Sequence, residues 1–144
     1  AHLYGFGFLY HWAGRYRTTS PMVGTHTVPK PHLITELMKN LFDDLHYRIN
    51  KIDKDNLRAV VQLVAWFEHR FIWIHPYSNT NGRMGRLLTN FILKELGYPP
   101  LNFANRSKNR KQYIEAMREA DKANYEKLEE IIAEELDDSI QQLN

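Results

Sequence analysis

Apolar side chains recur at helical spacing along most of the chain. Ile34, Leu37, Met38, Leu41 and Leu45 share one face and predict an amphipathic helix from residue 31 to about residue 50. Pro31 is well placed as its first residue, where a missing N–H costs nothing. Residues 51–55 are a polar break, with Asp53 and Asp55 as candidate N-caps for the next helix. The next stripe is Leu57, Val60, Val61, Val64, Phe67 and Phe71, and Leu63, Ala65, Trp66, Ile72 and Trp73 add apolar groups on the other sides. A helix apolar on most faces belongs in the middle of a bundle. Proline cannot continue it, so it stops at His75-Pro76.

Met84, Leu87, Leu88, Phe91, Ile92 and Leu96 mark another helix, ended by Gly97 and Pro99-Pro100. Two more helices are expected, over about residues 108–120 and 124–143. Before all of these, residues 1–17 are aromatic and glycine-rich, yet Leu3, Phe6, Leu9, Tyr10 and Ala13 keep a helical spacing. Residues 18–31 hold three prolines, a glycine and β-branched residues, which reads as a loop or short β-hairpin. The expected fold class is all-α, with five or six helices and one small β element. At 144 residues there is room for one domain, residues 1–144, and no second.

Composition narrows the function classes. With 43% hydrophobic and 25% charged residues, the chain is neither fibrous nor disordered. It has no cysteine, which excludes disulfide scaffolds, iron–sulfur sites and thiol catalysis. No apolar run approaches the roughly 18 residues of a membrane span. These features fit a cytoplasmic protein with no membrane partner. The first residue is alanine, which leaves room for a piece of a longer protein. The net charge is +2, but residues 1–111 carry +9 and residues 112–144 carry −7. A basic body suggests a negatively charged ligand.

The chemistry lies in residues 75–86, HPYSNTNGRMGR. Asn79, Thr80, Asn81 and Gly82 are turn formers between two helices. The second helix starts near Gly82, and its free N–H groups make an anion site. Arg83 and Arg86 fall in its first turn, on the side away from Leu87, Leu88 and Phe91. Two cations at the positive end of a helix are unfavourable without an anion, and a phosphate would resolve that. His75, at the loop entrance, could take a proton from an attacking hydroxyl. Taken singly, each residue reads as a helix cap, a turn or a solvated cation. The joint pattern converges on one phosphate-sized site.

That segment resembles the signature of the Fic (filamentation) domain family, H-P-F-x-[DE]-G-N-G-R-x-x-R. Residues 12–17 (WAGRYR) resemble the part before the family's flap, and residues 25–31 (THTVPKP) the flap and its exit. Residues 70–77 and 85–100 resemble the helices around the motif. The resemblance implies a Fic-type helical bundle with a β-hairpin flap. It implies AMP transfer from ATP to a protein hydroxyl (AMPylation), with Mg²⁺ as cofactor. His75 would be the general base. Asn81, Gly82, Arg83 and Arg86 would bind phosphates, and Tyr113 and Asp121 would line the adenosine. The flap residues Thr25, His26, Thr27 and Val28 would pair with the target backbone.

Two departures from the pattern matter. The acidic metal-holding residue is Asn79, a neutral and weaker ligand. The following glycine is Thr80, which is strained if that backbone needs a positive φ. Reduced activity is therefore part of the expectation. The alternatives are transfer of another nucleotide-linked group and a non-catalytic nucleotide- or peptide-binding module. Family members are often silenced by a helix with [ST]-x-x-x-E-[GN], and no Ser or Thr here begins one. An inhibitory helix is then expected upstream or on an antitoxin-like partner chain.

The remaining candidates are bland. His69 lacks H-E-x-x-H spacing and reads as structural, not as a zinc ligand. The four cations of RSKNRK, residues 106–111, read as a solvated loop, with nucleic-acid binding ranked last. Trp66, Trp73 and Phe91 fall at core spacing. The acidic tail reads as a solvated face around Leu128, Ile132 and Leu136. No G-x-x-x-x-G-K-[ST] phosphate loop is present.

Overall fold

The computed structural model describes residues 2–9, 11, 13–24 and 26–142. The chain runs through α1 (His2–Phe6), β1 (Met22–Val23), β2 (His26–Thr27), α2 (Ile34–Lys51), α3 (Leu57–Ile74), α4 (Asn81–Glu95), α5 (Ala104–Lys108), α6 (Arg110–Ala120) and α7 (Glu126–Gln141). A 3₁₀ turn, Pro31–Leu33, leads into α2. The fold is an α-helical bundle with one antiparallel hairpin.

Helix α3 is the hub because its sequence is apolar on nearly every side. Val60, Val64, Phe67, Phe71 and Ile74 are completely buried, and Val61, Leu63 and Ala65 nearly so. It packs against α2, α4 and α7, and α7 in turn carries α6. The Phe67 and Phe71 rings stack with centroids 6.2 Å apart in this core. Helix α4 comes close to α3 at Gly85, where a Cβ would sit 3.1 Å from Ile72 Cδ1. Asn56, not Asp53 or Asp55, caps α3: its Oδ1 accepts the Ala59 N–H at 3.2 Å. Asp53 instead accepts the Asp55 N–H, closing the polar break as an Asx turn.

Three expectations need correction. The helical spacing of residues 1–17 yields a helix only over His2–Phe6, followed by turns. Phe91 is 54% exposed and Leu87 is exposed too. The face that α4 turns to α3 is set by Met84, Gly85, Thr89, Ile92 and Leu93. Arg83 therefore shares a side with Leu87 and Phe91, at i, i+4 and i+8, not the opposite side. Trp66 and Trp73, by contrast, do pack against the core as expected, half-buried and each under a guanidinium, Arg48 at 4.2 Å and Arg70 at 4.7 Å.

The third correction concerns Arg106, which is buried and not part of a solvated loop. Its Nε and Nη2 each donate to the Glu135 carboxylate at 2.7 Å, and its Nη1 donates to Glu68. The Tyr113 hydroxyl donates to the same Glu68 oxygen at 2.7 Å. This cation ties α5 to α3 and α7. Removing it would strand two buried carboxylates side by side. Arg106→Met is expected to lower unfolding free energy by about 3–5 kcal/mol, read as a drop in the urea midpoint. The triple change Glu68→Leu, Arg106→Met, Glu135→Leu should lose much less. A small effect of the single change would show that water reaches the cluster.

Candidate active site

The site is assembled where α3 ends and α4 begins. Helix α3 stops because Pro76 has no N–H to give. His75 turns into the left-handed region, φ 51° and ψ 59°, while its own N–H still bonds the Phe71 carbonyl at 3.1 Å. The imidazole Nδ1 is buried and makes no hydrogen bond. Burial is the main cause that holds the His75 pKa below 6.5. The charges of Arg17 and His26 act in the same direction. The Ile72 carbonyl opposes them without reaching hydrogen-bond geometry. The ring is thus neutral at pH 7 and able to accept a proton.

The loop between the helices is fastened by its own side chains. Buried Asn81 accepts the Tyr77 N–H at 2.9 Å and donates to the Tyr77 carbonyl at 2.8 Å. Its amide is therefore spent on the loop, and what Asn81 can offer an anion is its backbone N–H at the start of α4. Asn79 Oδ1 accepts the Thr80 N–H at 2.7 Å. Thr80 sits at φ 68°, ψ 7°, so the positive φ that a glycine would take there is imposed on a β-branched residue. Gly82 lies in the exposed first turn of α4, where a Cβ would meet only Arg86 Nη1, at 3.6 Å. Its backbone is open to close approach. Arg83 is exposed, and Arg86 is half-buried with its guanidinium 5.9 Å from the centre of the Phe103 ring.

Residues 75–86 contain no Asp or Glu, and the Asn79 carbonyl already takes a backbone N–H. Among the described residues no group of three or more His, Asp or Glu side chains is placed to hold a metal. The loop thus offers Mg²⁺ no carboxylate, and the residues present do not fit a Mg²⁺ site of their own.

Between the hairpin, α3 and α6 is a largely apolar cavity of about 180 Å³, with none of residues 75–86 in its wall. The hairpin (Val23, Gly24, His26), α3 (Ile72, Trp73) and α6 (Tyr113, Met117) line it. Both predicted adenosine residues, Tyr113 and Asp121, face this cavity. Burial and then the Glu68 carboxylate push the Tyr113 hydroxyl well above 10, while Arg106 and Arg86 pull it back. Asp121 is committed to a neighbour: its Oδ1 is 2.9 Å from His69 Nε2. The other His69 nitrogen is 3.2 Å from the Tyr125 hydroxyl, so His69 is a structural, fully partnered histidine. Burial, the leading cause, holds its pKa below 6.5 against Asp121.

The hairpin pairs Met22 with Thr27 and Val23 with His26. That leaves a two-residue turn, and Gly24 at φ 60° supplies its left-handed position. Thr25 lies outside the described residues. His26 and Val28 act as anchors: His26 Nε2 is 3.0 Å from the Trp73 carbonyl, and Val28 is buried. Thr27 is exposed.

Sequence reasoning missed Arg17. Its side chain is 2% exposed and reaches four carbonyls. Nε donates to His75 at 2.6 Å, Nη1 to Thr19 at 2.7 Å, and Nη2 to Pro29 at 2.6 Å and Ile74 at 3.2 Å. No local pattern marks it, because its main partners are backbone groups 57 and 58 positions away.

The strain in the loop and the lowered pKa values of His69 and His75 can both be measured. Thr80→Gly removes a left-handed β-branched residue whose strain is of order 1–3 kcal/mol. Allowing for the added chain entropy of glycine, Tm should rise by roughly 2–4 °C in a melt at fixed pH. Unfolded histidines take up protons near pH 6.5, whereas folded His69 and His75 do so only at lower pH. Stability should therefore hold above that value and decline as pH falls below it. A flat urea midpoint from pH 7 to 5 would contradict this.

Comparison with known proteins places this arrangement. Residues 2–93 match the Fic/DOC family. The chain is 35% identical over 108 residues to Protein adenylyltransferase Fic of Nematostella vectensis, a match covering 75% of this chain and 24% of that protein. It is 33% identical over 117 residues to a Fido domain-containing protein of Dictyostelium discoideum, covering 79% of this chain and 75% of the other. The solved structure of Fic-1 (residues 134–508) from C. elegans superposes with a TM-score of 0.80 at 26% identity. It covers 98% of this chain and 40% of that one. The chain thus spans about a quarter of the Nematostella adenylyltransferase it matches.

Proposed function

Because the chain belongs to the Fic/DOC family, we propose that it transfers AMP from ATP to a hydroxyl side chain of a target protein. The observation that carries this reading is the loop itself. A half-buried imidazole whose pKa is held below 6.5 stands at one end, and a helix N-terminus bearing Arg83 and Arg86 at the other. Relatives that match the chain over this region are named adenylyltransferases.

In this reading the β- and γ-phosphates lie against Arg83, Arg86 and the first N–H groups of α4. The base and sugar extend into the cavity lined by Tyr113 and Ile72. His75 takes the proton of the target hydroxyl as its oxygen bonds to the α-phosphorus. The bond from that phosphorus to the bridging oxygen breaks, and pyrophosphate leaves. The target segment lies along the hairpin, beside the base. A regulator that covers Arg86, from an upstream helix or a partner chain, would compete with the γ-phosphate.

The loop has the shape for phosphate but no carboxylate for a metal, so transfer is slow. The same observation favours a second reading, a nucleotide-binding module without transfer. Incubation with α-labelled ATP and cell lysate, beside calorimetry with ATP, separates them. Labelled protein supports the enzyme; binding without label supports the module.

His75→Ala should cut labelling by about 10²–10⁴ and leave ATP affinity within a few-fold, because the imidazole acts on the hydroxyl. Arg86→Ala should weaken ATP by roughly 1.5–3 kcal/mol and AMP far less. Undiminished labelling by the first variant removes His75 from the reaction. Equal losses of ATP and AMP in the second take Arg86 off the terminal phosphates.

A further inference from the structure

Arg17 lies 58 positions before His75 and outside the signature loop, yet its guanidinium ends on the backbone of His75. Two of its bonds go to Ile74 and His75, the last carbonyls of α3, and two go to Thr19 and Pro29, which flank the hairpin on either side. Its own backbone N–H bonds the Pro76 carbonyl at 2.9 Å. No carboxylate pairs with it among the described residues. What holds the cation is the negative end of a helix and four carbonyl dipoles.

The hairpin needs such a tie. Each strand has two residues, too few to fix a position by pairing alone. Met22 is 78% exposed, and the remaining anchors are Val28 and the His26–Trp73 contact. His75 needs one as well, since a left-handed backbone persists only where its surroundings over-determine it. A planar fork with donors on three nitrogens spans both tasks at once, which a single ammonium cannot.

We propose that Arg17 is a positioning residue that locks the backbone of His75 to both ends of the hairpin, so that a target segment on the hairpin and the base that acts on it keep one register. The proposal rests on the transfer reaction above for its consequence, and on geometry alone for the link itself. Arg17 touches neither nucleotide site nor hydroxyl. Its effect is on placement, and a misplacement near 1 Å can cost about 100-fold in rate.

The test compares the whole chain with Arg17→Lys and Arg17→Gln. Lys keeps the charge but not the fork; Gln keeps neither. Backbone order parameters of residues 22–24 and 26–28, measured by NMR, should fall in both variants from about 0.85 toward 0.6. Order parameters in α3 below its last turn should not change. Labelling of lysate protein from α-labelled ATP should fall about 10–100-fold in Arg17→Lys, with ATP affinity by calorimetry within threefold of the original. The His75 ring titration should stay in place in Arg17→Lys and move to higher pH in Arg17→Gln. The groups facing that ring are Arg17, His26 and the Ile72 carbonyl, and only the first is altered. If Arg17→Gln does not fold, Arg17→Lys decides by hairpin order and labelling. An ordered hairpin with full labelling in Arg17→Lys overturns the proposal. So does ATP affinity that falls in step with labelling, which would mean general loosening. If the original chain labels nothing, the transfer reading fails, and hairpin order and the ring titration still decide the link.

Discussion

A helix that ends against a packed core leaves carbonyl groups at its end that water reaches poorly. Helix α3 is such a helix: Phe71 and Ile74 in its last turn are fully buried. An unpaired buried carbonyl costs on the order of 1–3 kcal/mol, and the helix itself cannot supply the partners. Everything around His75 answers that constraint. Arg17 takes the Ile74 and His75 carbonyls, its backbone N–H takes Pro76, and Asn81 takes both backbone groups of Tyr77. The loop that follows α3 is therefore held in place for a reason that comes before any function.

The same helix places two polar side chains in the middle of the bundle. Glu68 and His69 are adjacent and both buried. Glu68 holds Arg106 and Tyr113, and His69 holds Asp121 and Tyr125. Each pair of contacts crosses to α5, α6 or the start of α7. The wall of the cavity is thus set by hydrogen-bonded groups, with apolar area filling in between. Tyr113 and Asp121 keep their places in that wall because their polar ends are engaged, Tyr113 by Glu68 and Asp121 by His69.

How much of this was legible in the sequence depends on the range of the forces involved. Helices α2, α3, α4 and α7 announced themselves because a core on one side forces an apolar stripe of period 3.6. The hairpin was legible, as a loop or short hairpin, from the prolines, the glycine and the β-branched residues of 18–31. Residues 77–81 were legible as one turn because their side-chain bonds lie within the loop, Asn81 to Tyr77 and Asn79 to Thr80. Arg17 and Arg106 could not be read. The partners that tie them to other helices are 29 to 58 positions away, and an isolated arginine looks the same in sequence whether solvated or buried. The orientation of α4 also failed, since Leu87 and Phe91 are as apolar as Ile92 and Leu93. Gly85, by letting α3 approach, chose between the two faces.

Shape and charge separate in the signature loop. The shape survives the substitutions that distinguish it from the family pattern. Asn79 and Asp have the same outline, and Asn79 accepts the Thr80 N–H as a carboxylate would. Thr80 takes the left-handed conformation of a glycine and bears the strain, because Asn81 pins Tyr77 on one side and α4 begins on the other. What does not survive is the negative charge. A loop in this shape, with Arg83 and Arg86 in the next turn, is more positive than one with a carboxylate at position 79. On the proposed reading, a polyphosphate there would be met by Arg83, Arg86 and the first N–H groups of α4, since the loop supplies no carboxylate of its own. One amide in place of one carboxylate removes a charge from the loop and leaves the hydrogen bond to the Thr80 N–H in place.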